Sequence, residues 1–159
     1  MKTLILIRHA HRDTSDRAAD NGLSAKGEAQ AKALSAYYKK KYRSAEPLLL
    51  SSPRLRCMQT LEAIARTAGL PVGVSDDLTE QASDETDVDF RARIERFLKW
   101  WENESPEFTI ACSHGDWLPS ALELATGARA EFKKGAWAQL RLIEGRPVLS
   151  CLMQKLRKL

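Results

Sequence analysis

Three cysteines and three histidines are few for a chain of 159 residues. Cys57, Cys112 and Cys151 are odd in number and have no paired spacing, which argues against a disulfide framework. None stands beside a histidine, so no zinc pattern forms either, and no metal or other cofactor is expected. Their apolar surroundings predict buried thiols in a reducing compartment. No apolar run approaches the roughly 20 residues of a membrane span. The first such run, Leu4 to Ile7, is broken by Arg8 before it could serve as a signal-peptide core. A cytoplasmic protein without a membrane partner is the expectation. A glycine-rich phosphate loop of the Walker kind is also missing, as is a pair of magnesium-ligating carboxylates beside the basic residues. Nucleotide-dependent transfer is therefore not expected. There is no internal repeat, low-complexity segment or linker.

What is present suits one domain over residues 1–159, with 43% hydrophobic and 29% charged residues. The formal net charge of +4 would suit a phosphorylated or a nucleic-acid partner. Much of the excess sits at Lys39 to Lys41 and at Lys155, Arg157 and Lys158, both readable as solvated ends. Aromatic and basic residues do not interleave as they do in a single-strand platform, so nucleic acid is not the expected partner.

Leu4–Ile7 reads as a buried strand beginning at Thr3, with Arg8 and His9 delivered where it emerges into a loop, His11 to Gly22. A helix follows from an N-cap at Ser24 to about Tyr42. Ala25, Ala29, Ala33 and Tyr37 are expected on its buried face, with Lys26, Lys32 and Lys39 turned outward. Leu48 to Leu50 form a second strand. Ser52 as N-cap and Pro53 in the first turn then predict a helix ending at Gly69, with Cys57, Leu61, Ile64, Ala65 and Ala68 inward. Arg54 in that first turn opposes the helix dipole, which an anion bound there would explain. Val72 to Val74 form a weak third strand, and an acidic stretch runs from Asp76 to Asp89. The next helix reaches about Glu102 and buries Phe90, Ile94, Phe97, Leu98 and Trp101. Phe108 to Cys112 is a fourth strand, broken by Ser113, His114, Gly115 and Asp116. A helix from Trp117 to Thr126 follows, with Asp116 at its N-cap, and a closing hairpin spans Ala136–Ile143 and Pro147–Met153.

Alternating strands and helices predict a three-layer αβα sandwich with a mainly parallel sheet. Loops after the first four strands then open on one edge, and they hold Arg8 with His9, Arg54, Glu80 and His114. Two arginines and two helix N-termini converging there suit a phosphate. A neutral imidazole can attack phosphorus, and cationic neighbours stabilise the equatorial oxygens in the transition state.

RHAHRD after the first strand, SSPRLRCMQT after the second and SHGDWL after a later one resemble the histidine phosphatase superfamily, also called phosphoglycerate mutase-like. DNGLSAKGEAQA is similar to the segment that leads its first helix. The resemblance runs from Leu4 to about Gly127. It implies the phosphoglycerate mutase-like fold, His9 as a phosphorylated nucleophile, Arg8 and Arg54 as a phosphate clamp, and His114 as a phosphate contact from the facing loop. It further implies a carboxylic acid that protonates the leaving group. Glu80 lies where many members carry theirs, with Asp13, Asp84 and Glu85 as substitutes. Ala10 replaces the glycine that most members show after the nucleophile. Arg12 is similar to an additional arginine of the acid phosphatase branch and reads either as a third phosphate ligand or as a solvated loop charge. His11 is expected exposed and Trp117 in the core.

Little chain between Arg54 and His114 is left for a lid, as in the small phosphohistidine phosphatases. The implied activity is hydrolysis of a phosphomonoester or a phosphohistidine through a phosphohistidine intermediate on His9. The substrate is then a phosphorylated small molecule or a phosphohistidine protein. The acidic rim from Glu80 to Asp89 is expected to repel highly anionic small substrates, which argues against a phosphoglycerate-type mutase. A non-catalytic phosphate-binding adaptor would need the same basic pocket.

Overall fold

The computed structural model describes residues 1–156, so Arg157 and Lys158 of the basic tail lie outside the described residues. Its centre is β1 (Thr3–Arg8), a run of branched apolar side chains with Leu4, Ile5, Leu6 and Ile7 all fully buried. A strand covered on both faces needs this unbroken apolarity. β2 (Leu48–Ser51), β3 (Val72–Val74) and β4 (Phe108–Ser113) run parallel to it, and β5 (Trp137–Ile143) and β6 (Arg146–Met153) close the sheet as an antiparallel hairpin. The strand order is β3-β2-β4-β1-β5-β6.

The pleat divides the core in two. Ile5 and Ile7 face α1 (Ala25–Tyr42) and α2 (Leu55–Ala68), where they meet Leu34, Tyr38, Cys57, Leu61 and Ile64. Leu4 and Leu6 face α3 (Asp87–Asn103) and α4 (Trp117–Thr126), where they meet Ile94, Phe97, Trp101, Trp117 and Leu118. The result is the expected αβα sandwich. Among the described residues no helix is long and apolar enough to cross a membrane.

Three local expectations are corrected. In α1 the buried residues are Gly27, Ala31, Ala33, Leu34 and Tyr38, while Ala25 and Ala29 are exposed. Residues 25, 29, 33 and 37 are spaced by a constant four and drift around a helix of 3.6 residues per turn, whereas 27, 31, 34 and 38 hold one face. In α2 the N-cap is Arg54 and not Ser52, and the helix begins at Leu55. Ser52 is drawn away by its bond to His114, 2.8 Å from Oγ to Nε2. Cys57 and Cys112 are buried as expected, but Cys151 on edge strand β6 is only half-buried.

Elsewhere local chemistry and fold agree. Ser24 Oγ accepts from the Gly27 N–H at 3.1 Å, and Thr86 caps α3 by accepting from the Asp89 N–H. Gly127 ends α4 in the left-handed region, with φ of 76°. Glu144 and Gly145 take φ of 51° and 74°, as a two-residue hairpin turn demands.

Gly27 decides how closely α1 approaches the site loop. A Cβ there would stand 1.9 Å from the His11 carbonyl oxygen, a backbone atom that cannot swing aside. Gly27→Ala is expected to destabilise the protein by about 1–3 kcal/mol, the usual cost of overpacking. Thermal unfolding checks this, with a melting temperature several degrees lower; an unchanged value would contradict the close packing.

Candidate active site

The parallel strands end together, and their last residues build the site. His9 follows β1, Ser52 follows β2, Glu80 lies on the loop after β3, and His114 follows β4. The backbone bonds them directly: the His9 N–H donates to Ser113 O at 3.1 Å and the Ser52 N–H to Cys112 O at 3.0 Å. Thr60 of α2 ties the β1 loop down, accepting from the Ala10 N–H at 2.9 Å while its own hydroxyl donates to Arg56 O.

His9 is buried, 5% exposed. Its Nδ1 lies 2.8 Å from the Ala10 carbonyl, which can only accept, so Nδ1 carries the ring proton and Nε2 keeps its lone pair. Burial, above all, lowers its pKa to about 3; the Ala10 bond works the other way, and His114, Arg56 and Arg8 lower it further. His9 is thus a neutral imidazole throughout the physiological range. The His114 ring meets it edge-on, with centroids 5.4 Å apart.

Both ring nitrogens of His114 are engaged, Nε2 by Ser52 and Nδ1 by Arg56 Nη2 at 3.3 Å. Cys57 Sγ lies 3.5 Å from the same Nε2. Arg8 Nη1 donates to Phe132 O at 2.6 Å, which fixes the guanidinium. A Cβ on Gly115 would stand 2.7 Å from Arg8 Cζ, so the absence of a side chain at 115 lets the guanidinium lie where it does. Arg8 Nε and Arg56 Nε are buried without a hydrogen-bond partner, leaving donor capacity that the protein itself does not use.

Arg56 was not among the sequence candidates. Its side chain is 6% exposed and reaches His114 and Glu80, whereas that of Arg54 is 47% exposed and reaches only Glu80, 3.5 Å from Nε to Oε1. The sequence held a signal: Arg56, Thr60 and Ile64 share one helical face, so Arg56 falls on the edge of the buried stripe. The anion that Arg54 called for is internal, since Glu80 serves both arginines, with Oε2 3.0 Å from Arg56 Nη2. Burial raises the Glu80 pKa, but His114, Arg56 and Arg54 together outweigh it and hold the carboxyl below its ordinary range.

The loop bearing Glu80 is held from three sides. Arg93 of α3 donates to the carbonyls of Asp77 at 2.9 Å and Thr79 at 2.8 Å and pairs with Glu85. The Gln81 N–H donates to Asp116 Oδ2 at 3.0 Å, and Trp117, in the core as expected, donates from Nε1 to Asp77 O at 2.7 Å. Asp116 stands at the α4 N-cap without making a side-chain cap bond. Glu85 is committed to Arg93, Asp84 is exposed, and Asp13 accepts from the Ser15 N–H, so among the candidate acids Glu80 is the one beside the histidines. The rim is less acidic than its sequence suggests, because Glu80, Glu85 and Asp77 are each paired with arginine. A cleft of about 750 Å³ opens beside Arg54, Glu80 and Arg93. Arg12 is half-buried, its backbone bridged to Leu23, and its side chain is not brought into the cluster around Glu80. His11 is half-buried, its Nδ1 2.7 Å from Ser24 Oγ. Among the described residues no group of three metal-ligating side chains gathers.

The profile of the histidine phosphatase superfamily (branch 1) matches residues 4–87. The chain belongs to this superfamily. The match ends before His114, which the parallel sheet brings to the other motifs. No sequence among curated proteins matches. Among solved structures, a histidine phosphatase fold is shared with a putative alpha-ribazole-5'-P phosphatase from Escherichia coli, at a TM-score of 0.81 and 18% identity over 99% of this chain and 100% of that one. The protein histidine phosphatase SixA complexed with tungstate superposes at 0.77, with 20% identity over 95% and 96% of the two chains. A mycobacterial glucosyl-3-phosphoglycerate phosphatase superposes at 0.76, with 19% identity over 95% and 98%.

Two outcomes follow from the geometry. An imidazole with its pKa lowered stays neutral while its unfolded counterpart takes up a proton, so stability falls on acidification from about pH 6.5 towards about 3. Above pH 5, where carboxylates stay ionised, His9 is expected to contribute a slope approaching 1.4 kcal/mol per pH unit. Denaturant unfolding of wild type and His9→Gln between pH 6.5 and 5 measures it, and equal slopes would refute the buried neutral ring. Gly115→Ala is expected to displace Arg8, a flexible side chain, and so to weaken phosphate or vanadate binding about tenfold with little change in melting temperature. Titration calorimetry beside thermal unfolding reads both.

Proposed function

We propose that this protein is a phosphatase that forms a covalent phosphohistidine on His9. The observation that carries the reading is the His9 ring: neutral, proton-bearing at Nδ1, its Nε2 lone pair free, amid Arg8, Arg56 and His114. A phosphate-binding module would need the cations but no unprotonated nucleophile among them.

In the first step Nε2 attacks phosphorus, an N–P bond forms, and the P–O or P–N bond to the leaving group breaks, its electron pair departing with that group. Arg8, Arg56 and His114 stabilise the equatorial oxygens as charge shifts. Arg54, at the exposed rim, meets the phosphate as the phosphate displaces Glu80 from it. In the second step water attacks the phosphohistidine, Glu80 takes its proton, and inorganic phosphate and the free imidazole are restored.

Glu80 is ionised in the free site, so it starts as a base. An arriving phosphate dianion competes for Arg56 and adds negative charge nearby, and both effects raise the proton affinity of Glu80. Once it has taken up a proton from solvent under that raised affinity, it can protonate the leaving group, and the proton it takes from water in the second step restores the acid form. Substrates whose leaving group needs little proton help, phosphohistidine among them, should therefore outpace alkyl phosphates.

His9→Ala is expected to abolish hydrolysis, and wild type treated with a radiolabelled phosphodonor to retain label on His9, stable to base and labile to acid. Glu80→Gln should lose about 100-fold or more on alkyl phosphates but far less on p-nitrophenyl phosphate. Absence of label and turnover would leave a binding module; equal losses on both esters would remove Glu80 from proton transfer.

A further inference from the structure

The charged groups around the site differ in how they are paired. On the Glu80 side the acidic groups nearest the histidines are paired with arginines. Arg12 and Arg17 on the loop after β1, Lys26 at the start of α1 and Lys134 just before β5 take part in no ion pair among the described residues. Three carboxylates share their loop, yet each serves backbone. Asp13 accepts from the Ser15 N–H at 2.9 Å, Asp16 from the Ala18 N–H at 3.1 Å and Asp20 from the Leu55 N–H at 3.1 Å.

The four cations are placed by the site itself. Lys134 precedes Gly135, whose N–H donates to the carbonyls of Arg8 at 3.1 Å and His9 at 3.3 Å. Arg12 is bridged to Leu23, just before the cap of α1. Lys26 lies in the first turn of α1, where its charge opposes the helix dipole. Arg17 lies on the loop between them. Burial, with the charges of Arg8, Arg12, Lys26 and Arg17, lowers the pKa of the Lys134 ammonium. Like charges gathered with no ion pair among them oppose the compact state, and an anion bound among them relieves that.

We propose that Arg12, Arg17, Lys26 and Lys134 form a second anion subsite beside His9, so that the substrate is a small molecule bearing a phosphate or carboxylate in addition to the phosphoryl group it loses. The proposal takes from the phosphatase reading only where the first phosphate sits.

Three esters with one leaving-group type test this: 1,3-propanediol monophosphate, its bisphosphate, and 3-phosphooxypropanoate. Wild type is expected to favour the two doubly anionic esters about tenfold or more in kcat/KM, and the preference should shrink as salt rises. Lys26→Gln/Lys134→Gln should erase most of the preference while p-nitrophenyl phosphate turnover stays within about twofold. Favouring only the bisphosphate, or only the carboxylate, identifies which second group the subsite takes. Equal kcat/KM for all three, or a preference that the double variant keeps, overturns the subsite while leaving the phosphatase intact. Calorimetric affinities of the same esters for His9→Ala decide the subsite even without turnover, and there equal affinities overturn it.

Discussion

One hydrogen bond governs the chemistry of this fold, from His9 Nδ1 to the carbonyl of the next residue. It fixes the ring proton on the side away from the reaction and leaves the other nitrogen bare. Burial among cations does the rest, because an imidazolium beside Arg8 and Arg56 would be both desolvated and repelled. The same cations that would draw in a phosphate under the proposed reaction therefore keep the His9 ring unprotonated. Every other contact at the strand ends can be read as holding that ring and those guanidiniums in one place.

Glu80 is the internal counterweight. Its carboxylate neutralises Arg54 and Arg56, so the buried guanidinium is not left unpaired. Under the proposed reaction a phosphate would replace one anion with another, and the site would exchange charges without having to create them. The loop carrying Glu80 is pinned by Arg93, Asp116 and Trp117, so this exchange needs no large movement of backbone.

Much of this was legible in the chain. Leu4 to Ile7 announced a central strand, the Phe90 to Trp101 stripe announced α3, and the residues at four strand ends announced a shared edge, because alternation and helical spacing are local rules. Arg56 was not legible as a site residue, since the rule that places charge on the solvent face competes with a stripe whose edge it occupies. Ser52 was read as a cap because caps are local, while its partner, His114, is far along the chain. The α1 face was misread by one step of the helix because an alanine-rich segment carries little hydrophobic contrast. For Arg56 and Ser52 the choice was decided by a contact between distant segments.

Gly135 and Phe132 show what such contacts cost in time. Arg8 belongs to the first strand, yet its guanidinium is fixed by the Phe132 carbonyl, and its own carbonyl is held by the Gly135 N–H. During synthesis, Arg8 and His9 thus exist long before the segment that seats them. β1 must also wait for both of its neighbours, β4 and β5, which are distant in the chain. The site is assembled late, and a nascent chain carries an imidazole whose surroundings have not yet set its protonation.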